Sequence, residues 1–419
     1  MFKESGLKRL YLTHFFKEHT VALLLKMGTL ALALGVSILF ARLLGTSEFG
    51  LYSTWMATLS IVYLPVSATL SLISTRQLSR KKSGFSIGDL CFLTVVLIVT
   101  GFVVFVAVYL QLGSFGIGLA ACFYAVIAAS LEVLTAFFRS NDRPLSAMFL
   151  EPLLRQLFAI TITLIYIALN ERISLEILLV VHCVGVFFAM LAAILFAYFA
   201  PSLPPLLVRK RTLTGLSNSK DIPLVFLQNL LGSGVANMPV IVAANFFNMD
   251  SAGFVRVAIQ LVSSSLLALS VAQYVGAAGF ARDSDLAERA NAFVKSTVFG
   301  LALGAPLLLL VVVLSSYLIQ QVFLQKDVFN ASFIYILACS SFFVLLAGPS
   351  GIFLNMRGDV RGVLSSLFIG FGLMLVVFVC TYDEYGLLSI AFALAANSVS
   401  VKLFQLAKVI FILRGAGSR

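Results

Sequence analysis

Apolar runs of about 20 residues follow one another from Val21 to the C-terminus with only short polar interruptions. That repetition limits the possible folds more than any other feature. A run of this length is what an α-helix needs to cross the ~30 Å hydrocarbon core of a bilayer. Inside lipid the chain must satisfy every backbone N–H and C=O itself, so only helices and closed barrels can span it. Strand-like alternation is absent from the runs, which selects a helical bundle over an outer-membrane barrel. Composition agrees, with 60% of the 419 residues hydrophobic and 11% charged, against about 25% charged in soluble domains.

Twelve membrane helices are predicted, at 20–44, 50–74, 89–111, 116–138, 145–169 and 174–199, then at 223–247, 252–280, 291–316, 329–354, 361–381 and 385–412. The longest polar interval, "APSLPPLLVRKRTLTGLSNSKDI" at 200–222, reads as a cytoplasmic linker between two halves. The organisation expected is an interfacial segment at 1–19, an N-lobe at 20–199, the linker, a C-lobe at 223–413 and a tail at 414–419. The opening "LKRLYLTHFFKEH" gathers apolar side chains on one helical face, which suits a helix lying on the membrane surface. The first apolar run is too long for a signal peptide and no A-x-A site closes it. No stretch is left for an attached ATPase or a globular enzyme.

A net charge of +11 points to nucleic acid in a soluble protein, so the placement of the charges decides its meaning. With the N-terminus inside, 23 of the 29 Lys and Arg fall in cytoplasmic segments, Arg139, Arg143 and Arg155 among them, and three fall outside. Such a bias over short loops puts both termini in the cytoplasm and excludes nucleic acid as a partner. Cys91, Cys122, Cys183, Cys339 and Cys380 lie in apolar runs without CxxC spacing, so they read as small buried side chains, with no metal site and no cofactor.

The stretch "SILFARLLGTSEFGLYS" at 37–53 has a counterpart in "VIVAANFFNMDSAGFVR" at 240–256, at a constant shift of 203 residues. Both read as tight outer hairpins: Thr46 or Ser47 caps the second helix of the first copy, and Asp250 or Ser251 that of the second. "RSNDRP" at 139–144 and "NMRGDVR" at 355–361 mark matching cytoplasmic turns. Six helices per half is an even number, so both halves point the same way. Their pseudo-twofold axis then lies along the membrane normal, with a cavity between them.

"ARLLGTSEFGLYS" at 41–53, "STRQLSRKK" at 74–82 and "FFRSNDRPLSAMFLEPLLRQ" at 137–156, set in the six-plus-six layout, resemble the polysaccharide transporter family. These are the Wzx-type flippases of the multidrug/oligosaccharidyl-lipid/polysaccharide (MOP) superfamily, and the resemblance covers essentially the whole chain. It implies an all-α integral membrane protein with a MATE-like, V-shaped fold of two lobes that alternate between inward- and outward-facing states. The implied substrate is a sugar unit on undecaprenyl diphosphate, carried from the cytoplasmic to the periplasmic leaflet of a bacterial inner membrane. Membrane lipids, the polysaccharide polymerase and the chain-length machinery are the implied partners. Related lipid II flippases meet the diphosphate with cations on helices one and eight, where this chain has Lys26 and Arg256.

Charged side chains inside a span cost at least ~2.5–3.5 kcal/mol and mark functional candidates. Lys26 and Arg256 head that set, each with snorkelling to the interface as the bland reading. Arg42 doubles as an interfacial anchor and Lys402 is a further cavity candidate. Under the shift, Lys26 faces Asn229, Arg42 faces Asn245 and Arg256 faces Ser53, so each cation occurs in one lobe only. That asymmetry suits an asymmetric anionic ligand. Asn229, Asn237, Asn245 and Gln260 are candidates for sugar hydroxyls or for bonds between helices. Glu132 is the ion-coupling candidate, or else the partner of Arg155 or Arg139. Pro65, Pro239, Pro306 and "GPSG" at 348–351 are expected to interrupt their spans, and His182 reads as a packed polar residue.

Two other functions fit a chain of this type. A small-molecule exporter of the same superfamily favours a carboxylate-lined N-lobe, where only Glu132 and Asp89 stand out. A membrane glycosyltransferase, such as an O-antigen polymerase or ligase, favours a long periplasmic loop, and the outer loops are short.

Overall fold

The computed structural model describes residues 2–81, 85–112, 115–141, 143–169, 174–200, 207–208, 222–281, 286–322 and 330–415. The first half contains α1 (Phe2–Leu44), α2 (Thr46–Lys81), α3 (Ile87–Leu112), α4 (Phe115–Ser140), α5 (Pro144–Met148), α6 (Leu154–Leu169) and α7 (Leu175–Phe199). The second contains α8 (Ile222–Phe246), α9 (Met249–Ser265), α10 (Leu267–Ala281), α11 (Leu286–Val322), α12 (Ala331–Ala347), α13 (Ser350–Met356), α14 (Val360–Tyr385) and α15 (Leu388–Gly415). Ten helices are long and apolar enough to cross a membrane, and twelve spans result when the bent pairs α9/α10 and α12/α13 each count as one. The chain is a multi-pass membrane protein. All twelve expected spans are present, α5 and α6 forming one of them. The end of the bundle carrying Thr20 and Arg414 is called the terminal end below, and the opposite one the far end.

Several local expectations need correction. Residues 2–19 continue α1 without a break rather than forming a separate element. Of the 200–222 linker only Ala200, Leu207, Val208 and Ile222 fall within the described residues; Leu207–Val208 pairs in parallel with Phe85–Ser86. Pro65, Pro239 and Pro306 sit inside uninterrupted helices, as neighbouring helices allow in membranes. "GPSG" does break its span, by 42°, because Gly348 adopts φ +60°, where other residues are strained. Cys91, Cys339 and Cys380 are exposed on the helix surfaces rather than buried, and Cys122 and Cys183 are half-buried.

The largest bend, 57° between α9 and α10, has neither proline nor glycine. Three consecutive serines cause it. The hydroxyls of Ser263, Ser264 and Ser265 donate to the carbonyls of Gln260, Leu261 and Val262 at 3.0, 2.5 and 2.7 Å. Leu266 N–H then bonds back to Ser263 O at 3.1 Å. Side-chain donors competing for successive carbonyls tighten and bend the helix there. Beyond the bend, Leu267 and Val271 of α10 cross to the first half and pack with Ala22 of α1 and Met148 of α5.

Each half packs mostly on itself. In the first, Trp55, Leu59 and Tyr63 of α2 meet Ala125 and Phe137 of α4 and Val186 of α7 in one buried core. Small residues permit the close approaches that helices need in lipid. A Cβ on Gly185 of α7, for example, would stand 3.1 Å from Ala159 N of α6. Between the halves, α2 lies along much of α8, whereas α1 touches α9 at few places. Thr69 accepts from Asn229 Nδ2 at 3.0 Å and Ser60 O accepts from the Ser233 hydroxyl at 2.9 Å.

The repeated stretches meet at the far end. The first hairpin has a single non-helical residue, Gly45, at φ +79°, and α2 starts directly after it at Thr46. In the second copy the cap is Asn248, whose side chain accepts from Ser251 N at 2.7 Å, rather than Asp250 or Ser251. Gly50 and Gly253, equivalent under the shift, face each other. A Cβ on Gly50 would collide with the Met249 carbonyl, and one on Gly253 would stand 3.1 Å from the Phe49 ring. The far end is sealed by backbone against backbone.

Gly50→Val is expected to wedge this seal open, because a carbonyl cannot yield, whereas Gly253→Ala needs only a small ring shift. Thiol labelling of Phe254→Cys from the far side should rise several-fold in the first variant and little in the second. Replacing Ser263, Ser264 and Ser265 together by alanine should relax the bend. Disulfide trapping between Ala22→Cys and Val271→Cys should then fall to a minor fraction.

Candidate functional site

The span made by α5 and α6 contains a π-helical turn, Phe149–Leu153, in which Leu154 N–H bonds to Phe149 O, five residues back. Pro152 lacks an N–H and clashes with the regular ladder, so the widened turn accommodates it. π-Turns of this kind often coincide with functional sites. Here the turn carries Glu151, and Arg155 follows one turn later on the same side. Arg155 therefore lies ~15 Å of helix rise inside its span, not in a cytoplasmic segment as the charge reading had it.

Around these two residues the first half gathers its intramembrane charges. Arg155 is close enough to interact electrostatically with Glu151, Glu132, Tyr63 and Tyr124. Glu132 on α4 accepts from the Ser67 hydroxyl of α2 and interacts with Glu151, Arg139 and Arg155. Lys26 on α1 faces Glu151 and Arg139. Arg139 donates to Ser71 Oγ at 3.0 Å and to Thr135 Oγ1 at 2.9 Å. Among the described residues the cluster sets three cations against two carboxylates, a surplus of one positive charge. Both expected partners of Glu132 are present, together with a second carboxylate, Glu151, which the sequence reading did not count. The signal was "LEPLLR", an acid and a base four residues apart across a proline in an apolar run.

Arg256 faces this cluster from α9. Its charge interacts with Tyr52, Tyr63 and Tyr124, and no carboxylate is among these neighbours. Tyr63 and Tyr124 meet edge to face at 5.9 Å. His182 on α7 is buried behind Tyr52, with Tyr52 Oη 3.1 Å from Nε2 and Leu178 O 3.0 Å from Nδ1. A carbonyl only accepts, so Nδ1 carries the proton of the neutral ring and Nε2 accepts from the tyrosine. This is a packed polar residue, as expected.

Lys26, Arg155 and Arg256 share one property. Protein surrounds each on most sides, yet each keeps part of its surface accessible. Side chains lining a concave wall behave this way, whereas snorkelling side chains reach the interface. Lys402 on α15 has the same character in the second half. Arg42 sits exposed in the last turn of α1. Gln260 accepts from Ser37 Oγ of α1 at 3.0 Å, tying α9 to the first half. Asn229 bonds across the halves, as described. Asn237 and Asn245 donate to the carbonyls of Ser233 and Ile241 on their own helix. The structure thus brings Lys26, Glu132 and Arg256 around Arg155. Asn237, Asn245 and Lys402 have no contact with that group among the described residues.

No protein-family model matches the sequence, and no curated protein matches it either. Solved structures do match in fold. A single-residue mutant of the Vibrio cholerae MATE transporter VcmN superposes with a TM-score of 0.74 at 12% identity, covering 96% of this chain and 97% of that one. An inward-facing multidrug resistance MATE family transporter of the MOP superfamily gives 0.69 at 12% identity, over 96% and 99%. A MOP superfamily transporter from Pyrococcus furiosus, described as having a binding pocket of reversed polarity, gives 0.67 at 12%, over 94% and 95%. The chain therefore has the MATE-like fold of MOP transporters: all-α, twelve spans and two halves about a pseudo-twofold axis.

Removing Arg155 leaves Glu132 and Glu151 facing each other without their central cation. Arg155→Met is therefore expected to destabilise the protein by about 3–5 kcal/mol, the usual cost of breaking a buried ion group. Adding Glu151→Gln to Arg155→Met should recover more than half of that loss. Thermal unfolding in detergent, followed by size-exclusion chromatography, measures both.

Proposed function

We infer that this protein is a secondary transporter, and that it flips an anionic, lipid-linked oligosaccharide between leaflets by alternating access. One observation carries the reading: the first-half cluster has a cationic surplus, and Arg256 adds an unbalanced positive charge opposite it. Arginine's fork suits the oxygens of a diphosphate. The cations also occupy different depths. Lys26 is ~9 Å of rise past Thr20, Arg155 ~15 Å past Leu145, and Arg256 ~10 Å from the far end of α9. A diphosphate moving between leaflets meets a cation along most of that path. With the positive-inside bias setting the terminal end in the cytoplasm, the direction is outward across an inner membrane. The cargo is then an undecaprenyl-diphosphate-linked unit delivered to a polysaccharide polymerase and its chain-length machinery.

The paired carboxylates favour a second reading. Glu132 and Glu151 share one site, and two nearby carboxylates commonly hold a proton between them, as a proton-coupled small-molecule exporter requires. In the flippase reading the same pair supplies ion coupling.

Both readings meet in one experiment. In a strain lacking this gene but keeping its polysaccharide locus, the sidedness of the lipid-linked oligosaccharide is assayed with wild type, Arg256→Ala or Glu132→Gln restored. The flippase reading expects accumulation on the cytoplasmic face, full rescue by wild type and at least a ~10-fold lower export with Arg256→Ala. Normal surface polysaccharide in the deletion strain, with new sensitivity to cationic dyes, supports the exporter instead. Single units at the surface without polymer overturn both.

A further inference from the structure

The turn between α2 and α3 is a prepared strand edge. In "FSIGDL" at 85–90, Ser86 Oγ accepts from Asp89 N at 3.1 Å. Asp89 Oδ2 in return accepts from Ser86 N at 3.1 Å and from the Ser86 hydroxyl at 2.7 Å. This reciprocal box starts α3 and fixes the backbone just before it. Phe85 is buried in the first-half core, its ring 6.5 Å from that of Phe137 on α4, and Leu90 packs against the same core. Apolar residues on either side of such a box staple the entering chain at one angle. The groups that hold Phe85–Ser86 in place all belong to the first half.

Onto this edge the linker adds a second strand. β2 (Leu207–Val208) lies parallel to β1 (Phe85–Ser86), with Leu207 opposite Phe85 and Val208 opposite Ser86. A strand edge offers unpaired main-chain groups, and an added strand satisfies them. The chain lengths on the two sides of β2 are unequal. α4 packs against α7 on one side and against α2 and α3 on the other, so the chain must pass α4 to reach β1 from the end of α7. Two helix spacings make that a crossing of ~16–20 Å. The seven residue steps from Ala200 to Leu207 reach at most ~23–25 Å. Beyond β2, the fourteen steps from Val208 to Ile222 reach ~46–50 Å. Yet Ile222, the first residue of α8, packs against the same core that holds Phe85. The spare length therefore lies almost wholly after Val208.

We propose that the linker is divided at Val208. The stretch ending there is an arm of the first half, docked on β1 whichever way the halves are turned, and only 209–221 serves as the tether between them. No second-half residue takes part in the docking, so a movement of one half against the other leaves it intact. Parting of the halves draws on the spare length and puts no load on α7 or on the start of α3. This inference goes beyond the functional reading and applies to either cargo.

The test uses full-length protein in lipid nanodiscs, with the five native cysteines replaced by alanine. Ser86→Cys paired with Val208→Cys should form a disulfide in most molecules. Ser86→Cys paired with Leu207→Cys should do so only in a minor fraction, because neighbouring strand residues face opposite ways. The first yield should persist when Gly50→Val is added to wedge the far end open. It should also persist on deletion of residues 212–216. Deletion of residues 202–204 leaves four steps, ~13–14 Å of reach, too little for the crossing, and should reduce the yield to the control level. A control-level yield with the linker intact, an equal loss in the two deletions, or a several-fold fall with Gly50→Val each overturns the proposal. Hydrogen exchange on protein with its cysteines intact supplies a check that needs no cross-link. Val208→Pro should speed exchange around Leu207 while the first turn of α3 stays protected. Rapid exchange around Leu207 before any substitution, or loss of protection in α3 with Val208→Pro, counts equally against it.

Discussion

Gly50 and Gly253 meet where the two halves close, and much of the architecture follows from that contact. Neither position has room for a Cβ without moving a carbonyl or a ring. The helices they belong to, α2 and α9, are therefore pressed together at the far end. Lipid offers no hydrophobic force to pull helices together, so close packing of small residues supplies the adhesion. The recurrence of one stretch at a shift of 203 residues is thus more than a trace of duplication. Each copy is the surface against which the other closes.

The charge distribution breaks the symmetry that the backbone keeps. The first half holds a compact group of three cations and two carboxylates, organised by a π-turn that has no counterpart among the described residues of the second half. Arg256 and Lys402 stand in the second half with no acid beside them among the described residues. In a medium of low dielectric, a near-balanced group is a stable fixture and an unbalanced cation is an invitation to an anion.

Length and apolarity made the spans legible, because a helix in lipid has no alternative way to satisfy its backbone. The break at "GPSG" was legible for a similar reason: Gly348 and Pro349 leave few conformations open. The bend at Ser263–Ser265 was not, since serines bend a helix only when their hydroxyls turn to the carbonyls behind them, and nothing in the residue type enforces that rotamer. Arg155 was counted with a cytoplasmic segment although it falls ten residues inside the span expected at 145–169, so the charge count and the span assignment disagreed there. Glu151 was passed over although Arg155 follows it four residues later, because Arg155 had been counted outside the span. Asn229 and Gln260 could be ranked as polar and intramembrane, but their partners Thr69 and Ser37 belong to the other half and no local pattern names them.

Trp55, the only tryptophan of the chain, is buried on α2 among first-half residues, and its indole N–H has no acceptor among the described residues. An indole so placed emits from an apolar, dry environment. The unlabelled protein thus carries one intrinsic optical probe, five residues along α2 from the Gly50 contact. Parting of the far end should let water and carbonyls reach the ring and shift its emission to the red, while events confined to the second half stay dark.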